Sequence, residues 1–232
     1  MTKNTKLILS VVLLILAAGL SYTYLKAPTT NLAGTESGTI PAVTGADWAQ
    51  SVDGATVTIT EYADYQCPAC AAYHPLVETL KKEYKDRVNF VFRLFPLPMH
   101  TNAVPAGAAA EAAGAQGKYF EMGAKLFENQ KDWENSVTPN DIFVQYATDL
   151  GLDIEKFKTD IASDDLKKKI VAYFRAGQVA KVSSTPTFFI NGVKIKNPSG
   201  SSNEEVLVGF RALVDAELAK TGAGVGSSTI KK

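Results

Sequence analysis

The amino-acid sequence predicts an α/β protein, or an α+β one, with a helical insertion. Three features predict it. A β-branched alternating run at residues 55–62 is followed by helical spacing. A second apolar strand run lies at 88–95. After a helical stretch, 103–182, a hairpin signal at 187–195 precedes one last helix.

The elements follow in order. Residues 55–62, Ala-Thr-Val-Thr-Ile-Thr-Glu-Tyr, alternate apolar and polar side chains, a strand pattern. Tyr73, Leu76, Val77, Leu80 and Tyr84 then recur at helical spacing, and Pro75 should kink that helix. The strand at 88–95 is closed by Pro96 and Pro98. The Ala-rich stretch that follows reads as helices at 106–115, 119–129, 139–150, 154–162 and 164–179. Asn191-Gly192 supplies the tight turn between strands 187–190 and 193–195. Helix 204–220 is amphipathic, with Val206, Phe210, Leu213, Val214 and Leu218 on its core side.

A chain of 232 residues fits one globular domain with appendages. Lys plus Arg and Asp plus Glu are both 24, so the net charge is zero, which argues against a general nucleic-acid binder. The largest cationic cluster, Lys167 to Lys169, reads as a solvated helix face. Two cysteines exclude a framework of several disulfides and a four-thiolate zinc site.

Residues 7–25 form a 19-residue stretch without charge behind Lys3 and Lys6. As a helix it would span roughly 29 Å, close to the thickness of a bilayer core. It is either an uncleaved anchor with the short end in the cytoplasm or a cleaved signal peptide ending near Ala17-Ala18-Gly19. Either places the rest outside the cytoplasm, where disulfides persist. Residues 26–46 read as a flexible linker, 47–220 as the folded domain and 221–232 as a disordered tail.

The chemistry points to Cys67-Pro68-Ala69-Cys70. Cys67 follows a strand and opens a helix, where free N–H groups and the helix dipole stabilise a thiolate. Pro68 suits the first helical position. Cys70, one turn on, is placed to resolve a mixed disulfide. A bridge closing so short a loop would stabilise little, so a purely structural disulfide is disfavoured. His74 and His100 complete no convincing zinc spacing, so no metal is expected. His74 reads as a surface residue near the site and His100 as a loop or capping residue. Tyr62, Tyr65, Tyr73 and Phe95 read as core and rim.

The segment from Glu61 to Cys70 resembles the active-site segment of DsbA-like thiol:disulfide oxidoreductases of the thioredoxin superfamily. So does Ser184-Thr185-Pro186-Thr187-Phe188-Phe189-Ile190-Asn191-Gly192. Arg93-Leu94-Phe95-Pro96-Leu97, the Ala108–Ala113 run with Glu111, and Gln116-Gly117-Lys118-Tyr119-Phe120 resemble the same family between them. The resemblance covers roughly 47–220 and implies a thioredoxin fold with an inserted all-helical subdomain at about 103–182.

By that resemblance Cys67 is the nucleophile and Cys70 the resolving cysteine. Pro186 is a cis proline facing them, and Thr185 offers backbone groups to bound peptide. Glu61 stands at the offset of a buried carboxylate that moves protons to and from the buried cysteine. Strand alternation puts it on one face with Val57 and Ile59; the other reading is a solvent-facing Glu. The implied activity is an oxidase that introduces disulfides into secreted proteins, acting as a monomer without a cofactor. A quinone-linked membrane thiol oxidase, DsbB-like or vitamin K epoxide reductase-like, would reoxidise it. An isomerase or reductase using the same residues, and a redox-inert chaperone or metal-binding module, are the alternatives. Pro68-Ala69 lacks the His that several strong oxidases of this family carry between their cysteines, which predicts lower oxidising power.

Overall fold

The structure, a computed structural model, describes residues 40–220 and Gly222. The expected anchor or signal at 7–25, most of the linker and nearly all of the tail lie outside the described residues. No helix among the described residues is long and apolar enough to cross a membrane.

Five strands form one sheet: β1 (Trp48–Gln50), β2 (Val57–Ala63), β3 (Val88–Leu94), β4 (Thr187–Ile190) and β5 (Val193–Lys194), in the order β1-β3-β2-β4-β5. β2 is central. It runs parallel to β3, with Glu61 beside Phe92, and antiparallel to β4, with Glu61 beside Phe188. The parallel pair needs a crossover, and α1 (Pro68–Glu83) supplies it. The insertion comprises α2 (Ala103–Gly114), α3 (Tyr119–Glu128), α4 (Gln130–Trp133), α5 (Pro139–Asp149), α6 (Ile154–Ala162) and α7 (Asp164–Val179). α8 (Asn203–Lys220) closes the chain.

The alternation in β2 predicts one wet face, yet nearly every residue of it is buried. The reason is that both faces are covered. Val57 and Ile59 pack with Leu76, Val77 and Leu80 of α1 and with Val206, Phe210 and Val214 of α8. On the other face Tyr62 packs with Ile40, Phe95, Val182 and Phe189. A third cluster fills the insertion around Met122, Leu126, Trp133, Phe143 and Phe157.

The chain is bound to the sheet from Ile40, whose N–H donates to Gly192 O at 2.9 Å. Arg93 holds the segment that follows. It makes two hydrogen bonds to Asp47, at 2.6 and 2.9 Å, and donates to the carbonyls of Pro41 and Ala42. Two elements are new relative to the sequence expectation, the edge strand β1 and the single-turn α4. α1 runs on through Pro75, with Thr79 Oγ1 donating to the Pro75 carbonyl at 2.9 Å.

Candidate active site

β2 ends at Ala63, and Asp64 turns the chain into α1. Its Oδ1 accepts from Gln66 N at 2.8 Å, and its carbonyl accepts from Cys67 N at 3.0 Å. Such a turn sets Cys67 at the helix N-cap in an extended conformation, with Pro68 at the first helical position. No side-chain oxygen caps the helix. The free N–H groups of the first turn are therefore available to the Cys67 sulfur.

The electrostatics follow from that placement. Cys67 is held down to about 5, chiefly by a hydrogen bond from the Cys70 thiol and against the opposing effect of burial. The Thr185 hydroxyl and the N–H groups of Cys70 and Ala69 act in the same direction. That hydroxyl is buried and has no other hydrogen-bond partner. Cys70 is fully buried, and desolvation pushes its thiol well up. The two sulfurs are thus made unequal, one a stable thiolate and the other a thiol. Both cysteines are free in this structure.

The two distant motifs meet here. The Thr185–Pro186 bond is cis, as expected. Cys67 Sγ lies 3.5 Å from the Thr185 carbonyl oxygen, across 118 positions of sequence. Pro186 is buried, Thr185 half-buried, and Pro68 and Ala69 are exposed.

Glu61 points to the α1 side and is only 7 % exposed. Burial raises its carboxyl to about 7, with Lys81 opposing the rise and Glu78 and Cys67 adding to it. A crevice of about 30 Å³, lined by Glu61, Tyr65, His74, Glu78, Lys81 and Phe120 among others, reaches this carboxyl. A crevice of that size admits a water. His74 is less superficial than expected. It is half-buried against Phe127, with ring centroids 5.0 Å apart, and burial lowers its pKa.

Several residues that form this site carry no motif in the sequence. Asp64, fully buried, accepts from Leu97 N at 2.8 Å and pairs with His100 Nδ1 at 2.7 Å. Gln66 accepts from Asn102 N at 2.6 Å and donates to the Glu134 carbonyl at 2.7 Å. Gln130, the first residue of α4 and 4 % exposed, donates to the carbonyls of Tyr65 at 2.7 Å and Cys67 at 3.1 Å. His100, expected as a loop or capping residue, lies in the loop before α2 and pairs with a carboxylate. No group of three or more His, Cys, Asp or Glu residues able to hold a metal occurs among the described residues.

The comparisons agree with this fold. The sequence model of the family described as Thioredoxin matches residues 50–208. The oxidised BdbD of Bacillus subtilis superposes with a TM-score of 0.66 at 22% identity, covering 78% of this chain and 97% of that one. Alpha-DsbA1 of Wolbachia pipientis gives 0.64 at 21% identity, covering 78% and 94%. DsbA of Xylella fastidiosa gives 0.56 at 20% identity, covering 77% and 98%. Curated relatives include the protein named Na(+)/H(+) antiporter NhaA 1 of Mycobacterium sp. strain KMS, 37% identical over 147 residues, 62% of this chain and 23% of that protein. The NhaA 3 of Salinispora tropica is also 37% identical, over 62% and 21%. The chain spans under a quarter of the length of these relatives, so the likeness is to one stretch of each. With the family matched over more than half its length, and with a helical block inserted into a sheet that brings Cys67 to a cis proline, this chain belongs to the thioredoxin family and has the fold of its DsbA-like members.

Proposed function

We propose that this protein is a thiol:disulfide oxidoreductase that works as an oxidase, passing a Cys67–Cys70 disulfide to reduced secreted proteins. The observation that supports it most is the inequality of the two sulfurs at one helix N-terminus. A substrate thiolate attacks Cys67 Sγ, the Cys67–Cys70 bond breaks, and the electron pair leaves on Cys70 sulfur. That sulfur takes a proton, for which Glu61, half-protonated near pH 7, is placed to be the donor. The substrate's second thiol, as thiolate, then attacks its own sulfur in the mixed disulfide and expels Cys67. The balance is two electrons from the substrate dithiol to the protein, with one of the two substrate thiol protons replaced on Cys70 by way of Glu61 and the other released to solvent because Cys67 stays a thiolate at pH 7.

The direction follows from the leaving group. A thiolate as stable as Cys67 leaves readily and stabilises the reduced protein, which makes the disulfide form an oxidant. A pKa lowered from 9.0 to about 5 favours the dithiol form at pH 7 and so raises the potential of the couple. Thr185 and Pro186 form the edge against which an extended substrate lies. The charge-free stretch at 7–25 supports a site of action outside the cytoplasm, whether anchored or released. A membrane thiol oxidase that passes electrons to a quinone fits as the reoxidant. The domain bounds proposed are those read from the sequence, 47–220, with the packed residues 40–46 added to them.

Oxidised protein mixed with a reduced, unfolded disulfide protein should remove two substrate thiols per molecule within minutes at pH 7. Reduction of insulin without any oxidation of reduced substrate would assign the reductase direction instead.

A further inference from the structure

The turn that presents Cys67 is held from outside by the loop before α2 and by the helical insertion. Four consecutive residues are held, Asp64 by Leu97 and His100, Gln66 by Asn102 and Glu134, and Tyr65 and Cys67 by the carboxamide of Gln130. Gln130 differs from the rest in touching the nucleophile's own residue. Both of these bonds run from Nε2 to backbone carbonyls flanking Gln66. It is buried, and its partners are sealed from water with it.

Resting on the reading of Cys67 as nucleophile, we propose that Gln130 is a positioning residue for it, through which the helical insertion sets the attacking sulfur. Two physical effects act together. The carboxamide fixes the peptide planes after Tyr65 and Cys67, and these decide where the Ala69 and Cys70 N–H groups point. It also sets the positive end of an amide dipole against the Cys67 carbonyl, as a second donor beside Ala71 N at 3.1 Å. The titratable groups around the nucleophile are Cys70 and Glu61 behind it and Asp64 and His100 beside its turn. Gln130 adds a neutral donor, and a carboxylate in its place would repel both carbonyls.

The test is the titration of the Cys67 thiolate by its absorbance near 240 nm, on the full, reduced protein. Gln130→Met keeps the volume and removes the donor. It should raise the apparent pKa of Cys67 by about one unit and cut alkylation below pH 5 about tenfold. Gln130→Glu should raise it further, and more as its own carboxyl ionises. Phe143→Leu, a packing change inside the insertion near Trp133, should lower stability and leave the titration in place. A Gln130→Met titration within about 0.2 units of wild type overturns the proposal. So does an equal shift in Phe143→Leu, which would make the effect one of general loosening. Should Gln130→Met fail to fold, Gln130→Asn, which withdraws the amide by one methylene, is read by the same two criteria. Wild-type protein that titrates as described but oxidises no substrate would defeat the oxidase reading alone. An oxidase whose Gln130 variants titrate normally would defeat this inference alone.

Discussion

Cys67→Ser should reduce disulfide transfer to the uncatalysed rate, and Cys70→Ser should stop it half-way. The first variant removes the sulfur that forms the mixed disulfide. The second keeps a thiolate at position 67 but lacks the group that would break the adduct. Covalent complexes with substrate proteins should accumulate on non-reducing gels for Cys70→Ser and be absent for Cys67→Ser. Complexes trapped by Cys67→Ser instead would reverse the two roles. Burial favours Cys67 as the attacked sulfur, because Cys70 has no exposed surface at all.

Glu61→Gln should make the protein more stable at pH 8 and slower in the proton-linked step. The folded carboxyl sits at about 7, against 4.5 for an ordinary glutamate. A raised folded pKa means that the folded state holds its proton more tightly than the unfolded one. Stability from this group is fully present below pH 4.5 and is lost as pH rises to about 7. Removing the ionisation should recover up to about 3 kcal/mol at pH 8 and almost nothing at pH 4. Urea unfolding at the two pH values measures it. Exchange at pH 7 should fall by about tenfold or more, since the buried Cys70 loses its nearest proton donor. A variant that is less stable than wild type at both pH values would show that Glu61 is ionised and paired in the fold.

How much of the fold and site is legible in the sequence depends on where each residue's meaning lies. Cys67 and Cys70 are readable because spacing carries their chemistry, and the Thr185–Pro186 pair through the family resemblance alone. Glu61 is placed by strand alternation, since Val57 and Ile59 share its face and pack on α1. The same alternation misjudges Thr60, which is buried because the stretch around Ile40 and the end of α7 cover the second face. β1 escapes notice because three residues at a sheet edge show no period. α4 does so because one helical turn shows none either. Asn102 and Gln130 cannot be singled out at all, and Asp64 lies in the Glu61–Cys70 segment without a role of its own there. A buried polar residue is defined by its partners, and Gln130 meets Cys67 across 63 positions. It is one of five polar residues in a row, Glu128 to Asp132, and nothing in that run marks it.

The reduction potential of the Cys67–Cys70 couple tests the central claim most directly. It is obtained by equilibrating the protein with glutathione buffers at pH 7 and counting oxidised molecules. A thiolate held near pKa 5 beside a buried thiol predicts a potential between about −100 and −200 mV. The absence of a His between the cysteines places it toward the lower end of that range. A value near −270 mV, where thioredoxin itself lies, would contradict the oxidase reading, because a couple that reducing cannot act as a donor of disulfides.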